Sequence, residues 1–240
     1  MVELTGGDAR YRDDAGEASP GVAAAMAAYA DGTGCEHAVL AALAGSRLLV
    51  PVLAMPGAAG ENRTGPDGGD PSPGAEQRSE MATPALVGRD GRRALVAFTS
   101  ADAVRRWQPA ARPVPVPAVA VFRAATEESA AVVVDIAGPV SLAVEGARLA
   151  ALAEDGPVPR MHEDPDVWHL VAAAAGRVAT GIRVRLSAPP PGAEFTLELA
   201  PPPGVPGLVP DHVAALVARA VREQLADRVR SAVAVTRVPG

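Results

Sequence analysis

The stretch PALVGRDGRRALVAFTSADAVRRW, from Pro84 to Trp107, decides how this chain folds. Two apolar runs, MATPALVG and RRALVAF, stand on either side of an Asp-Gly pair, which is typical of a β-hairpin with a tight turn. After the second run, Thr99 and Asp102 stand three residues apart, as in a capping box, and favour the start of a helix that ends before Pro109. A hairpin followed by a helix predicts mixed α and β structure.

Upstream of this stretch, the pattern predicts a helix, a strand and a long loop. Thr33 and Glu36 again stand three residues apart, as in a capping box, at the start of the helix CEHAVLAALAGS. RLLVPVLA (47–54) is typical of a buried strand, and Pro51, which lacks an N–H donor, places it at a sheet edge or at a bulge. Residues 55–79 are rich in Gly, Pro and polar side chains and predict a flexible loop.

Composition divides the chain into two modules. Residues 1–19 are polar and predict a flexible N-terminus, whereas residues 20–154 hold the helices and strands of a first module. Residues 155–166 are acidic and rich in Pro, which is typical of a linker. Residues 167–240 then follow the order helix, strand, strand, helix, strand. The predicted fold class is therefore α+β, with two small mixed α/β sandwich modules joined by an acidic, Pro-rich linker.

The composition argues against several classes of protein. The net charge is −6, all 22 basic residues are Arg, and aromatic residues make up 3% of the chain, a combination that disfavours nucleic-acid binding. No apolar run is long enough to span a bilayer, and the N-terminus lacks the pattern of a signal peptide. The single cysteine, Cys35, allows no intrachain disulfide and fits a reducing compartment. We therefore expect a cytoplasmic protein without a membrane span.

Few residues are candidates for catalysis or metal binding. Cys35 and His37 stand two residues apart near a helix start and so point to different faces, which makes a poor zinc pair. Ser100 is placed to cap the next helix, and Asp135 follows an apolar strand, where a carboxylate usually bonds turn amides. We find no P-loop, dinucleotide fingerprint or nucleophile elbow. The sequence predicts no metal, no cofactor and no catalytic residue, and it favours a protein that is not an enzyme.

The arginines are the feature that the predicted fold does not account for. Between Pro84 and Arg112, six Arg against two Asp give a local charge of +4. Because Arg and Trp are common in binding hot spots, packing of the hairpin on the helix would create a partner-binding surface. Its residues would be Arg92, Arg93, Arg105, Arg106 and Trp107. The alternative is structural, since a helix C-terminus favours Arg and a Trp can belong to the core. The helix at 210–228 is a second candidate docking surface.

The same stretch carries a resemblance to a known family. RLLVPVLA, SEMATPALVGRDGRRALVAFTSADAVRRWQPAARPVPV and VVVDIAGPVSLAVEG, within Ala38–Ala153, resemble in order and spacing the N-terminal domain of the SseB family, named for enhanced sensitivity to serine. Val96 stands where Pro is more usual before FTS. The second module resembles, in the order of its elements, the C-terminal domain found beside this one in some members. The resemblance implies an α+β domain and no established enzymatic activity, and therefore no catalytic residues.

Two functions from different classes stay open at this point. The first is a non-catalytic protein with an interaction or regulatory role, which would bind a protein partner that the sequence does not identify. The second is a small-molecule sensor, or an enzyme, related to amino-acid metabolism, and only the family's name suggests it. Formation of a homo-oligomer is left open as well.

Overall fold

The chain folds as an α+β protein, as predicted, in a computed structural model that describes residues 9–55, 80–89, 91–127 and 131–240. The α-helices in these ranges are α1 (Pro20–Ala30), α2 (Glu36–Ala44), α3 (Ala101–Trp107), α4 (Ala118–Glu127), α5 (Gly146–Ala153), α6 (Pro165–Val178) and α7 (Asp211–Gln224). The strands are β1 (Arg47–Met55), β2 (Glu80–Ala82), β3 (Ala85–Val87), β4 (Arg93–Ala97), β5 (Arg112–Pro117), β6 (Ala131–Val134), β7 (Leu142–Val144), β8 (Arg183–Ser187), β9 (Ala193–Ala200) and β10 (Ala232–Arg237).

Two adjoining sheets form the first part of the fold. One has the order β2-β1-β5 and is antiparallel, and the other has the order β3-β4-β6-β7, in which only β4 and β6 run parallel. Leu49 and Phe98 join the two sheets by a pair of backbone hydrogen bonds of 2.7 and 2.9 Å. The largest hydrophobic cluster of this part includes Val39, Leu43 and Phe122 and draws on helices α1, α2, α4 and α5. Helix α3 packs against a smaller cluster that includes both joining residues.

We expected the apolar run MATPALVG to form one strand, but it forms two. Its first residues belong to β2, which pairs with β1, and residues 85–87 form β3, which pairs with β4 in the other sheet. The break falls at Thr83-Pro84, and the physical reason is that Pro has no N–H to continue a ladder. The hairpin of β3 and β4 is present as predicted, and Gly91 adopts the left-handed conformation at its turn. Asp90 lies outside the described residues.

The last strands form a separate three-stranded sheet of order β10-β9-β8. β9 pairs antiparallel with β8 and parallel with β10, and helices α6 and α7 cover one face. The sequence pattern of α7 predicts one apolar stripe of Val213, Leu216, Val217, Ala220, Val221 and Leu225, and the structure buries Val217, Val221 and Leu225. Leu216, a predicted member of that stripe, is 52% exposed. It precedes Val217 by one residue, so it lies about 100° around the helix and faces solvent.

The structure describes all of the predicted linker, part of the predicted N-terminus and almost none of the predicted loop. Residues 155–166 contact both hydrophobic parts of the fold, because Val158 packs in the first cluster and Met161 in the second. Within the predicted N-terminus, Asp14 accepts hydrogen bonds from Arg47. Residues 1–8 and 56–79, which contain the first part of the predicted terminus and nearly all of the predicted loop, lie outside the described residues. The module boundaries stay a prediction. No helix in the described ranges is long and apolar enough to cross a bilayer.

Candidate functional site at the junction of the two hydrophobic parts

The predicted arginine surface is divided into two groups. Arg92 Nη1 lies 2.8 Å from Glu145 Oε2, and Arg93, at the start of β4, is exposed. The second group is at the end of α3, where Arg105 and Arg106 are exposed and Trp107 is half-buried. The two groups also have different partners. In the second group, Arg105 pairs with Asp102, and the Trp107 ring packs against Phe98 at a centroid distance of 5.5 Å.

The two groups lie at opposite ends of the parallel pair β4 and β6. Arg93 begins β4, and Ala97 ends it opposite Val134, the last residue of β6. Asp135 follows directly; burial raises its pKa, and the charge of Arg106 is close enough to oppose that rise. Four residues of strand span about 13 Å. The structure therefore does not bring Arg92 and Arg93 into one patch with Arg105 and Arg106.

Asp135 holds the ends of β4 and β6 together. Its carboxylate accepts hydrogen bonds from Thr99 N (2.9 Å) and Thr99 Oγ1 (2.6 Å), and not from turn amides as we expected. Thr99 is therefore not the helix cap that its spacing to Asp102 suggested, and Ser100 Oγ accepts from Ala103 N instead. Burial raises the pKa of Asp135, and the bonds from Thr99 oppose that rise.

We expect Thr99→Val to lower the free energy of unfolding by about 1–3 kcal/mol at pH 7, because it removes a donor from the buried Asp135 carboxylate. Thr236→Val, at an exposed position of β10, is the matched control and should change stability little. Urea denaturation of both variants measures the difference. An equal loss in the two would contradict the role assigned to Thr99.

Three buried charged side chains and the half-buried Arg228 meet between the two hydrophobic parts, and we call them the junction network: Glu36, Arg148, Asp164 and Arg228. Glu36, the first residue of α2, is 2% exposed and accepts from Arg148 Nη1 at 2.5 Å. Arg228 Nη2, beyond the end of α7, donates to Glu36 Oε2 (2.9 Å) and to Asp164 Oδ2 (2.7 Å). Two acids and two arginines therefore compensate each other out of water.

The capping box that we expected at Thr33 and Glu36 is not formed. Cys35 is the N-cap residue and makes no side-chain cap bond, while Thr33 Oγ1 donates to Asp31. Glu36 is instead held by arginines far along the chain. Burial lowers the pKa of Arg148, although Glu36 opposes that effect.

Two further buried groups extend the junction. The Tyr29 hydroxyl donates to Arg228 O at 3.0 Å, and the Arg230 guanidinium lies 5.8 Å from the centre of the Tyr29 ring. Glu194 on β9 is buried, and this burial, with the nearby charge of Glu36, raises its pKa to about 7. The loop after α7 thus packs against α1 and α2.

A cleft of about 370 Å³ opens beside the junction network. Its lining comes from the β3–β4 hairpin, the first turns of α5 and α6, and the segment after α7. The lining residues are Arg92, Glu145, Gly146, Arg148, Asp166, His169, Leu170 and Arg228. Asp166 Oδ2 accepts from Ala147 N at 2.8 Å, so one wall is tied to the other. Such clefts between parts of a fold are common places for small ligands.

The cysteine and histidines of the described ranges do not assemble into a site. Across those ranges, no three His, Cys, Asp or Glu side chains come together so that they could hold a metal ion. Cys35 is half-buried at the start of α2. His169 lines the cleft, and its ring meets Trp168 edge to face at 5.2 Å.

Comparison with known proteins gives one match. The family model described as SseB protein N-terminal domain matches residues 22–151, more than half of the chain. No curated protein and no solved structure matches it. The matched range contains both arginine groups, Asp135 and two members of the junction network, and ends before Asp164 and Arg228.

Proposed function

This chain belongs to the SseB family, and from that premise we propose that it is a non-catalytic regulatory protein that acts by binding another protein. Family membership assigns no reaction, so the proposal rests on surface chemistry. We also propose that it works in the cytoplasm, as its single cysteine suggests.

The end of α3 supports this proposal best, and we call Arg105, Arg106 and Trp107 the docking face. The two guanidinium groups are exposed, while the Trp ring is held against Phe98 and loses little freedom when a partner covers it. Arginine forks suit carboxylate groups, and Arg with Trp is the combination that hot spots favour. The docking face therefore fits an acidic surface on a partner protein.

We include Arg92 and Arg93 in the same proposal under one condition on the size of the partner. Arg92 already pairs with Glu145, and the length of β4, about 13 Å, separates both residues from the strand end that leads to α3. They would contact the partner only if it spans that distance. The α3 residues are for this reason the first to test.

We expect the double variant Arg105→Glu/Arg106→Glu to lose a protein that the parent chain captures from the lysate of its own host. The control Arg160→Glu/Arg185→Glu makes the same change of charge at two exposed positions and should retain that protein. Capture with mass spectrometry reads the outcome, and thermal unfolding verifies that all three proteins are folded. Identical captured proteins for both variants would contradict the docking face.

A second candidate function is the binding of a small molecule, as a sensor or an enzyme would require. The observation that favours it is the cleft beside the junction network, because two arginines of the network line it. This candidate does not depend on the docking face.

A further inference from the structure

We propose that the cleft binds a small molecule that carries a single carboxylate, held by the guanidinium groups of Arg148 and Arg228. The proposal deepens the second candidate function and is independent of the docking face on α3. It rests on guanidinium donors of two residues lining the cleft that have no acceptor among the described residues.

Arg148 is the first of these donors. The side chain is 3% exposed, and only Nη1 makes a hydrogen bond within the described residues, to Glu36. Its Nε is buried without a hydrogen-bond partner there, since Asp164 Oδ2 lies 3.9 Å away. A guanidinium carries five N–H donors, and buried donors without acceptors are costly. Arg148 also lines the cleft, so its remaining guanidinium donors can meet an acceptor there.

Arg228 supplies the second donor. Its Nε and Nη2 bond Glu36 and Asp164, while its Nη1 makes no hydrogen bond to any described residue. The acids of the junction network hold both guanidinium groups in fixed positions on the wall of the cleft. A ligand would therefore meet donors that are already oriented, which lowers the entropy cost of binding.

The charge around the cleft selects the class of ligand. Four carboxylates (Glu36, Glu145, Asp164 and Asp166) and three arginines (Arg92, Arg148 and Arg228) lie in or directly behind it, which leaves a formal charge of −1. That field repels a dianion such as phosphate more strongly than a monocarboxylate, whose weaker repulsion the charge-assisted hydrogen bonds from the two guanidinium groups must outweigh. The volume of about 370 Å³ is near the lower end for ligand pockets and fits a small molecule.

Binding is expected to stabilise the contact between the two hydrophobic parts. Glu145 and Arg148 come from the part before the predicted linker, whereas His169, Leu170 and Arg228 follow it. A ligand that contacts both walls binds the folded chain and not the unfolded one, so it raises the unfolding midpoint.

The test uses acetate and butyrate as probes, with phosphate, sulfate and chloride at matched ionic strength. We expect saturable binding of the monocarboxylates in the millimolar range, and a rise in the unfolding midpoint of about 3 °C at ten times the dissociation constant. Stronger binding of phosphate or sulfate would overturn the monocarboxylate assignment. No saturable effect of either monocarboxylate would overturn the proposal.

Two matched pairs of variants locate the binding. His169→Trp fills the cleft without touching the junction network, and His212→Trp makes the same change at an exposed position of α7. Arg92→Gln and Arg93→Gln compare a lining residue with its exposed neighbour. We expect His169→Trp to abolish the acetate response and His212→Trp to preserve it, and Arg92→Gln to weaken it more than Arg93→Gln. An unchanged response in His169→Trp would place the binding elsewhere and overturn the proposal.

Discussion

Replacement of Arg228 by Met is expected to lower the free energy of unfolding by about 3–5 kcal/mol at pH 7. Arg228 donates to both Glu36 and Asp164, and each of these acids is almost completely buried. Without Arg228, two carboxylates share the single charge of Arg148. Removal of one partner from a buried ion pair costs far more than the pair itself contributes, because the remaining charge stays out of water.

Urea denaturation of Arg228→Met beside Arg222→Met measures this effect. Arg222 is an exposed residue of α7, and its replacement should cost less than about 1 kcal/mol. The combined variant Glu36→Gln/Arg228→Met should recover part of the loss, since it removes one of the two uncompensated charges. A loss for Arg228→Met as small as that for Arg222→Met would show that water reaches the network.

Replacement of Glu194 by Gln is expected to stabilise the protein above pH 7 by about 3 kcal/mol and to have little effect near pH 4.5. Burial raises the pKa of this carboxyl from 4.5 to about 7. The folded state therefore holds the proton more tightly than the unfolded state. The stabilisation that the raised pKa of Glu194 gives is complete below pH 4.5, decreases as the pH rises and is lost above about pH 7. Gln does not ionise and avoids that loss.

The free energies of unfolding of the parent chain and Glu194→Gln, measured from pH 5 to pH 8, show whether the variant gains stability over the parent chain as the pH rises. Glu198→Gln, on the same strand, is the control with the opposite sign. Hydrogen bonds from Ser187 and Arg185 lower the pKa of Glu198, so its contribution is present above the unfolded pKa and Gln should destabilise there. A constant difference between the parent chain and Glu194→Gln across this range would contradict the prediction.

The elements that local sequence determines were predicted correctly. The hairpin of β3 and β4 and the helix α3 depend on residues close in the chain, and both are present. The two capping boxes were wrong for a shared reason, because Thr99 and Glu36 have the right spacing but bond to residues distant in sequence. Spacing alone does not show which partner a polar side chain will have in the tertiary structure.

The junction network was missed, although the sequence holds one sign of it. In α5, Arg148 stands one turn before Leu152, a buried leucine, so it lies on the apolar face of an otherwise apolar helix. An arginine in that position predicts a buried acidic partner. The identity of that partner, Glu36, could not be predicted, because 112 residues separate the two. The cleft depends on the same long-range packing.

The pairing within the junction network has a consequence for synthesis on the ribosome, where the N-terminal residues emerge first. Glu36 and Arg148 both precede the predicted linker, and Asp164 and Arg228 are both encoded after Arg148. Each acid therefore has a basic partner within its own stretch of nascent chain. In the stretch that is synthesised first, Arg148 therefore compensates the charge of Glu36 before Arg228 is translated. The contact between Glu36 and Arg228 then determines how the two stretches align.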